Sequence, residues 1–190
     1  QGLKLINKDN RLYMNKLKFL AMSFVCFIFS GCTNNSIDFY GDKSNKMDLR
    51  NFFDGEIEGW GSLFDFNGRQ TRSFKVEIKG KWEGDVGVLE EWFIFDDGEK
   101  TQRTWKIVFS DKNSFVGSAG DVIGEAKGRI NGNAVNLNYV LNIPYKNSTI
   151  NLNMDDWMYL VEENMILNRT SMKKFGFKVG EIVLVMKKKQ

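Results

Sequence analysis

The ten residues "SFKVEIKGKW", Ser73–Trp82, alternate almost without a break. Phe74, Val76, Ile78 and Trp82 fall on one face, and Ser73, Lys75, Glu77, Lys79 and Lys81 on the other. A period of two is the mark of a strand with one face on a core and one in water. "AVNLNYVLNI", 134–143, repeats the pattern, with Val135, Leu137, Tyr139, Leu141 and Ile143 set against Asn136, Asn138 and Asn142. "TINLNM", 149–154, does so again with Ile150, Leu152 and Met154. "EIVLVM", 181–186, is apolar on both faces and reads as a covered closing strand.

Turn sequences separate these runs: "FNGR" (66–69), "EGDVG" (83–87), "DDGE" (96–99), "SDKNS" (110–114), "INGN" (130–133), "YKNS" (145–148), "EEN" (162–164) and "KFGFKVG" (174–180). They are spaced more widely than the about 8–12 residues of an immunoglobulin-type sandwich. Long sequential strands with short connections predict an all-β chain, a single antiparallel up-and-down β-barrel of about 9–10 strands. That is near the size at which a barrel holds one small ligand. The only predicted helix is a short turn near "LRNFFDG", 49–55. "GSAGDVIGEAKG", 117–128, lies among strands and opens no helix, so its glycines point to close backbone approach or a bulge rather than a phosphate cradle.

Upstream of the barrel the chain changes character. "FLAMSFVCFIF", 19–29, is apolar except for Ser23, and Lys16 and Lys18 precede it. Eleven residues are too few for a membrane-spanning helix, which needs about 20, but suit the core of an export signal. The signal proper is expected at 14–31, with 1–13 as an upstream extension. Ser30 and Gly31 are small and Cys32 follows at once, which resembles a bacterial lipobox, with Phe29 where Leu is more usual. The resemblance implies acylation of Cys32 as the mature N-terminus and a lipid anchor in the membrane; two or three acyl chains hold firmly where one does not. Thr33 rather than Asp after the cysteine implies sorting to the outer membrane, facing the periplasm. Residues 32–48, polar and weakly patterned, read as the acylated N-terminus and a tether, and 49–190 as the barrel.

The chain has 190 residues and a formal net charge of +3, but its leading 32 residues hold five basic groups and one acid. The remaining 158 carry 22 basic and 23 acidic groups, so no basic stripe calls for nucleic acid. There is no histidine, and both cysteines lie at or before position 32. The usual zinc sites, the Ser-His-Asp and Cys-His arrangements and the commonest general base are therefore excluded. No metal or cofactor is expected, and calcium would need a denser oxygen cluster.

Six segments together resemble one family: "LRNFFDGEIEGWG" (49–61), "FDDGEKTQRTW" (95–105), "GSAGDVIGEAKG" (117–128), "LNYVLNIP" (137–144), "MDDWMYL" (154–160) and "SMKKFGFKVGEI" (171–182). They are similar to the DUF3833 family of bacterial lipoproteins. The resemblance covers nearly the whole chain after the signal. It implies a lipocalin-like, calycin-type barrel and, by association only, a connection with lipid.

The candidate site comes from charges that strand phase places among apolar residues. Arg103 is in register with Trp105, Ile107 and Phe109; Asp156 with Ile150, Leu152, Met154 and Met158; Arg72 with Phe74; Asp96 with Trp92 and Ile94; and Arg169 with Leu167. These groups are expected to point into the barrel or rim it, since only a bulge would flip them. A buried charge must be paired, so two readings stand. One is a structural Arg–Asp network. The other is a site where an arginine fork clamps the carboxylate or phosphate of a fatty-acid or phospholipid-like ligand, with Trp92, Trp105, Tyr139, Met154 and Met158 as walls or as core filling. The acidic pairs at 96–97 and 155–156 each split across two faces and make no catalytic dyad. The expected function is non-catalytic handling of a hydrophobic ligand. The alternative is an interaction lipoprotein with a filled barrel that binds an envelope protein.

Overall fold

Alternating sequence becomes a closed wall. The computed structural model describes residues 35–189; the predicted signal at 14–31 and Cys32 lie outside them. Ten strands run in chain order: β1 (Gly55–Asp65), β2 (Gln70–Glu83), β3 (Val86–Phe95), β4 (Lys100–Phe109), β5 (Ser114–Ser118), β6 (Val122–Asn131), β7 (Ala134–Tyr145), β8 (Ser148–Glu162), β9 (Met165–Lys174) and β10 (Phe177–Lys188). Each pairs antiparallel with its sequence neighbours, and β10 pairs with β1, so the barrel closes. This is the predicted all-β, up-and-down, lipocalin-like architecture.

The connections follow from their residues. In the β1–β2 turn Asp65 Oδ1 accepts from the backbone N–H of Asn67 and Arg69, both at 2.9 Å, and in the β3–β4 turn Asp97 Oδ1 accepts from Glu99 N–H at 3.0 Å. Gly132, in the β6–β7 turn, has φ +55°, and a β-carbon there would also overlap the carbonyl oxygen of Tyr40. In β6 the register with β7 slips between Ile123 and Lys127, around Gly124 at φ +70°. The glycine-rich stretch is thus a turn and a bulge.

One end of the barrel is plugged. The one-turn helix α1 (Leu49–Phe52) is capped by Asp48, whose side chain accepts from Asn51 N–H at 3.0 Å. Leu49, Phe52 and Phe53 are buried in the main core with Ile57, Val76, Ile78 and Met186. Gly80 makes room for the plug, because a β-carbon there would overlap the Phe53 carbonyl oxygen. The other end, framed by the β1–β2, β3–β4, β5–β6, β7–β8 and β9–β10 connections, is open. Its tips carry the exposed rings of Phe66, Tyr145, Phe175 and Phe177.

The stretch expected to be a polar tether behaves differently from Ile37 onward. A 3-10 turn at Ile37–Tyr40 lies on the outside of the wall. Ile37 is buried with Ala134 and Trp157, and the Tyr40 ring sits 5.8 Å from Trp157 and 5.4 Å from Tyr159. Met47 is also buried, and its N–H donates to Gly132 O at 2.8 Å. Two apolar residues dispersed in a polar stretch suffice to dock it. The closing strand β10 is not covered on both faces as its sequence suggests: Ile182, Leu184 and Met186 face the lumen, while Val183 and Val185 lie half-buried beside the exposed Trp60.

Candidate functional site

The lumen is not filled. A chamber of about 290 Å³ lies on the open side, walled by Leu63, Phe95, Leu141, Leu152, Met154 and Met172. A smaller space of about 140 Å³ lies toward the plug, where Leu49 and Phe53 form its floor. Both share Phe74, Phe93, Arg103 and Ile182 in their walls. Arg103 therefore stands at the waist between them.

Pairing explains what gathers there. Glu91 on β3 lies directly opposite Arg103 on β4, and Asp156 on β8 opposite Leu137 on β7 and Thr170 on β9. Alternation then aims Glu91, Arg103, Tyr139, Asp156, Asn168 and Thr170 into one space. Arg103 donates from Nε and Nη2 to Asp121 Oδ2 at 2.9 and 2.7 Å, and its Nη1 lies 3.9 Å from Glu91 Oε2. The guanidinium carbon is 5.9 Å from both the Phe93 and Trp105 rings. Asn168 Nδ2 donates to Asp156 Oδ1 and, at 3.1 Å, to the carbonyl of Trp157. Asn168 and Thr170 are the buried polar residues of the barrel. The Trp105 and Tyr139 rings meet edge to face at 5.4 Å.

Burial dominates the electrostatics. It pushes the Glu91 carboxyl up to about 7 against the pull of Arg103, and Asp156 up to about 6 against its bonds from Asn168 and Thr170. It also raises the Tyr139 hydroxyl well above its ordinary value, keeping it a proton donor. Glu91, whose side chain remains 14% accessible, lines the smaller space toward the plug. Among the described residues no group of three or more Asp, Glu, His or Cys is arranged to hold a metal.

Arg103, Asp156, Trp105, Tyr139, Met154 and Met158 thus lie in the lumen, as their phase requires. Three expected residues are elsewhere. Trp92 and Ile94 are exposed on the outer face, because β3 turns Leu89, Glu91 and Phe93 inward. Asp96, in their phase, is accordingly outside the lumen and accepts from Ser73 N–H and Oγ at 2.9 Å each. Arg169 shares its face with Leu167 as expected, but that face is the outer one, and Arg169 pairs with Glu181 there. Arg72 stays at the rim, 3.6 Å over the Phe95 ring, paired with Asp97 at 2.5 Å and Glu99 at 2.7 Å. The sequence reading missed Glu91, Asp121, Asn168 and Thr170. In "EEW" and "LNRTS" the inward positions are polar, so alternation offers no apolar face to count from.

The chain belongs to the DUF3833 family, whose model, described as a protein of unknown function, matches residues 26–188. No curated protein matches it. Among solved structures it is similar to the S-type phycobiliprotein lyase CPES from Guillardia theta, at 9% identity and a TM-score of 0.50, over 83% of this chain and 99% of that one. At that identity the likeness concerns the fold alone: a calycin-type barrel of the same outline.

Proposed function

We propose that this DUF3833 chain is a non-catalytic envelope lipoprotein. In this reading acylated Cys32 tethers it to the periplasmic face of the outer membrane, and its barrel holds a hydrophobic, lipid-like molecule. The observation that carries the reading is the lumen: an apolar chamber of about 290 Å³, open at one end and ending on a buried polar cluster at Arg103. Apolar walls with a few convergent polar groups are the usual make-up of a small-molecule site. The volume is near the lower end of the about 300–1,000 Å³ typical of such sites, which favours one acyl chain over the two of a phospholipid. The sequence contains no histidine to serve as the general base of a nucleophile.

The test is native mass spectrometry of the full chain, purified from a bacterial envelope in non-ionic detergent, before and after organic extraction. An extractable mass on the order of a few hundred daltons is expected; a protein that never carries one, and takes up no added single-chain lipid, would reject the reading. Cys32→Ser should move the protein from the membrane to the soluble fraction, and its retention on the membrane would refute the acyl anchor.

One observation favours a second reading, an interaction scaffold. On the outer wall Leu167, Val185, Trp60 and Ile94 fall in one row across β9, β10, β1 and β3, interrupted only by Lys75 on β2. Trp60 is 48% and Ile94 47% exposed. Such a stripe can seat a protein partner. Trp60→Ser should then abolish capture of an envelope protein while leaving the barrel's bound mass unchanged.

A further inference from the structure

The polar cluster has the wrong balance for the anionic head group that an arginine in a barrel first suggests. Two of the Arg103 donor positions already serve Asp121, and the third nitrogen faces Glu91. Around the two chambers the walls contribute one cation, Arg103, and three carboxylates, Glu91, Asp121 and Asp156. Glu91 Oε2 and Asp121 Oδ1 are buried and accept no hydrogen bond. Two acceptor oxygens are therefore left for the head of a ligand. At pH 7.5 a carboxylate or phosphate would add a negative charge beside carboxylates that one arginine balances only in part. An ammonium would bring three N–H donors and a positive charge.

From this geometry we infer that the barrel takes a single-chain amphiphile with a cationic amine head. Its ammonium is held among Glu91, Asp121 and Asp156, and its tail lies in the chamber walled by Leu141, Leu152 and Met154. The inference rests on the proposed ligand chamber and adds the class of molecule that fills it.

Every element facing the head contributes to its pH response. β3 supplies Glu91, β4 Arg103, the β5–β6 connection Asp121, β7 Tyr139 and β8 Asp156. β9 supplies the uncharged Asn168 and Thr170, and β2 and β10 present Phe74, Ile182 and Leu184. Burial leaves Glu91 and Asp156 protonated in mildly acidic solution. An ammonium favours their ionised forms, so its capture releases protons and strengthens as pH rises. Capture of a fatty acid would have the opposite sign.

The experiment offers dodecylamine, dodecanoate and 1-dodecanol, at equal concentrations, to the full chain stripped by organic extraction and returned to non-ionic detergent. Retention is read by native mass spectrometry at pH 5.5 and 7.5. Dodecylamine should exceed dodecanoate by about tenfold at pH 7.5, and by less at pH 5.5. Glu91→Gln and Asp156→Asn should each reduce that preference, so a folding failure in one variant leaves the other decisive. Dodecanoate retained as well as the amine, or a preference that survives in both variants, would overturn the head-group assignment alone. Failure of all three compounds to bind would overturn the ligand chamber and the assignment with it.

Discussion

Arg103 directs two hydrogen bonds, from Nε and Nη2, onto one oxygen of Asp121, tying β4 to the connection that leads into β6. Removing the guanidinium would leave Asp121 and Glu91 facing a low-dielectric space without their cation. Breaking a fully buried pair costs about 3–5 kcal/mol. The Asp121 side chain is 36% exposed, however, and can turn toward water. Arg103→Met is therefore expected to lower stability by about 2 kcal/mol in urea denaturation, and the Arg103→Met/Asp121→Asn double variant to recover much of the loss. A single variant as stable as the parent would mean that the arginine contributes no net structural energy.

The raised carboxyls give the unliganded barrel a distinctive pH profile. Glu91 titrates near 7 when folded and at about 4.3 when unfolded. The folded state thus binds the extra proton, and stability from this group is present in acid and lost as pH rises through about 7. Asp156 acts in the same direction, its loss beginning near its unfolded value and complete above about 6. Between pH 5 and 7.5 the midpoint of thermal unfolding should fall, with Glu91 contributing on the order of 2 kcal/mol. Glu91→Gln should flatten the curve over that window; an unchanged slope would place the titration elsewhere. Asp155, Asp97 and Glu181, whose pKa values are lowered by their partners, act only at more acid pH.

The barrel and half of its site are legible in the sequence for one reason, and the other half is hidden for the same reason. In β2, β7 and β8 the lumen face is apolar apart from Asp156 and, at the rim, Arg72, so alternation sets the phase and exposes the charges that break it. In β3 and β9 the lumen positions nearest the site are Glu91, Asn168 and Thr170, while Trp92, Ile94 and Leu167 face outward. Counting apolar residues then selects the wrong wall, as it did for Trp92, Asp96 and Arg169. Local rules fail where the chain is committed to a site rather than to a core. Asp121 is hidden differently: it sits in a connection, and the pairing of β4 with the short β5 brings it to Arg103.

The plug gives a sharp steric test. A β-carbon on Gly80 would meet the backbone carbonyl of Phe53, which cannot turn aside as a side chain could. Gly80→Ala is expected to lift α1 from the barrel and cost about 1–3 kcal/mol, seen as a lower thermal midpoint. Gly120, in the β5–β6 connection, has nothing within 4 Å of the same added atom and no left-handed φ. Gly120→Ala should be neutral or slightly stabilising. Equal effects at the two positions would show that the plug does not depend on close approach to β2.

Whether the chamber matters can be asked without touching a charge. Ile143 is half-buried on β7 and lines the open-side chamber with Leu141 and Leu152. Ile143→Trp would fill much of that space from the wall nearest the mouth, and its partial exposure lets the strand absorb the larger ring at about 1 kcal/mol. If a ligand tail occupies the chamber, this variant should lose the extractable mass carried by the parent while its far-ultraviolet circular dichroism and urea midpoint stay close to the parent's. The row through Trp60 lies on the opposite side of the wall, so a protein partner seated there should still be captured by the Ile143→Trp variant. Retention of the same mass would show that the bound molecule lies outside the lumen, and loss of both mass and partner would show that the two sites are coupled through the barrel.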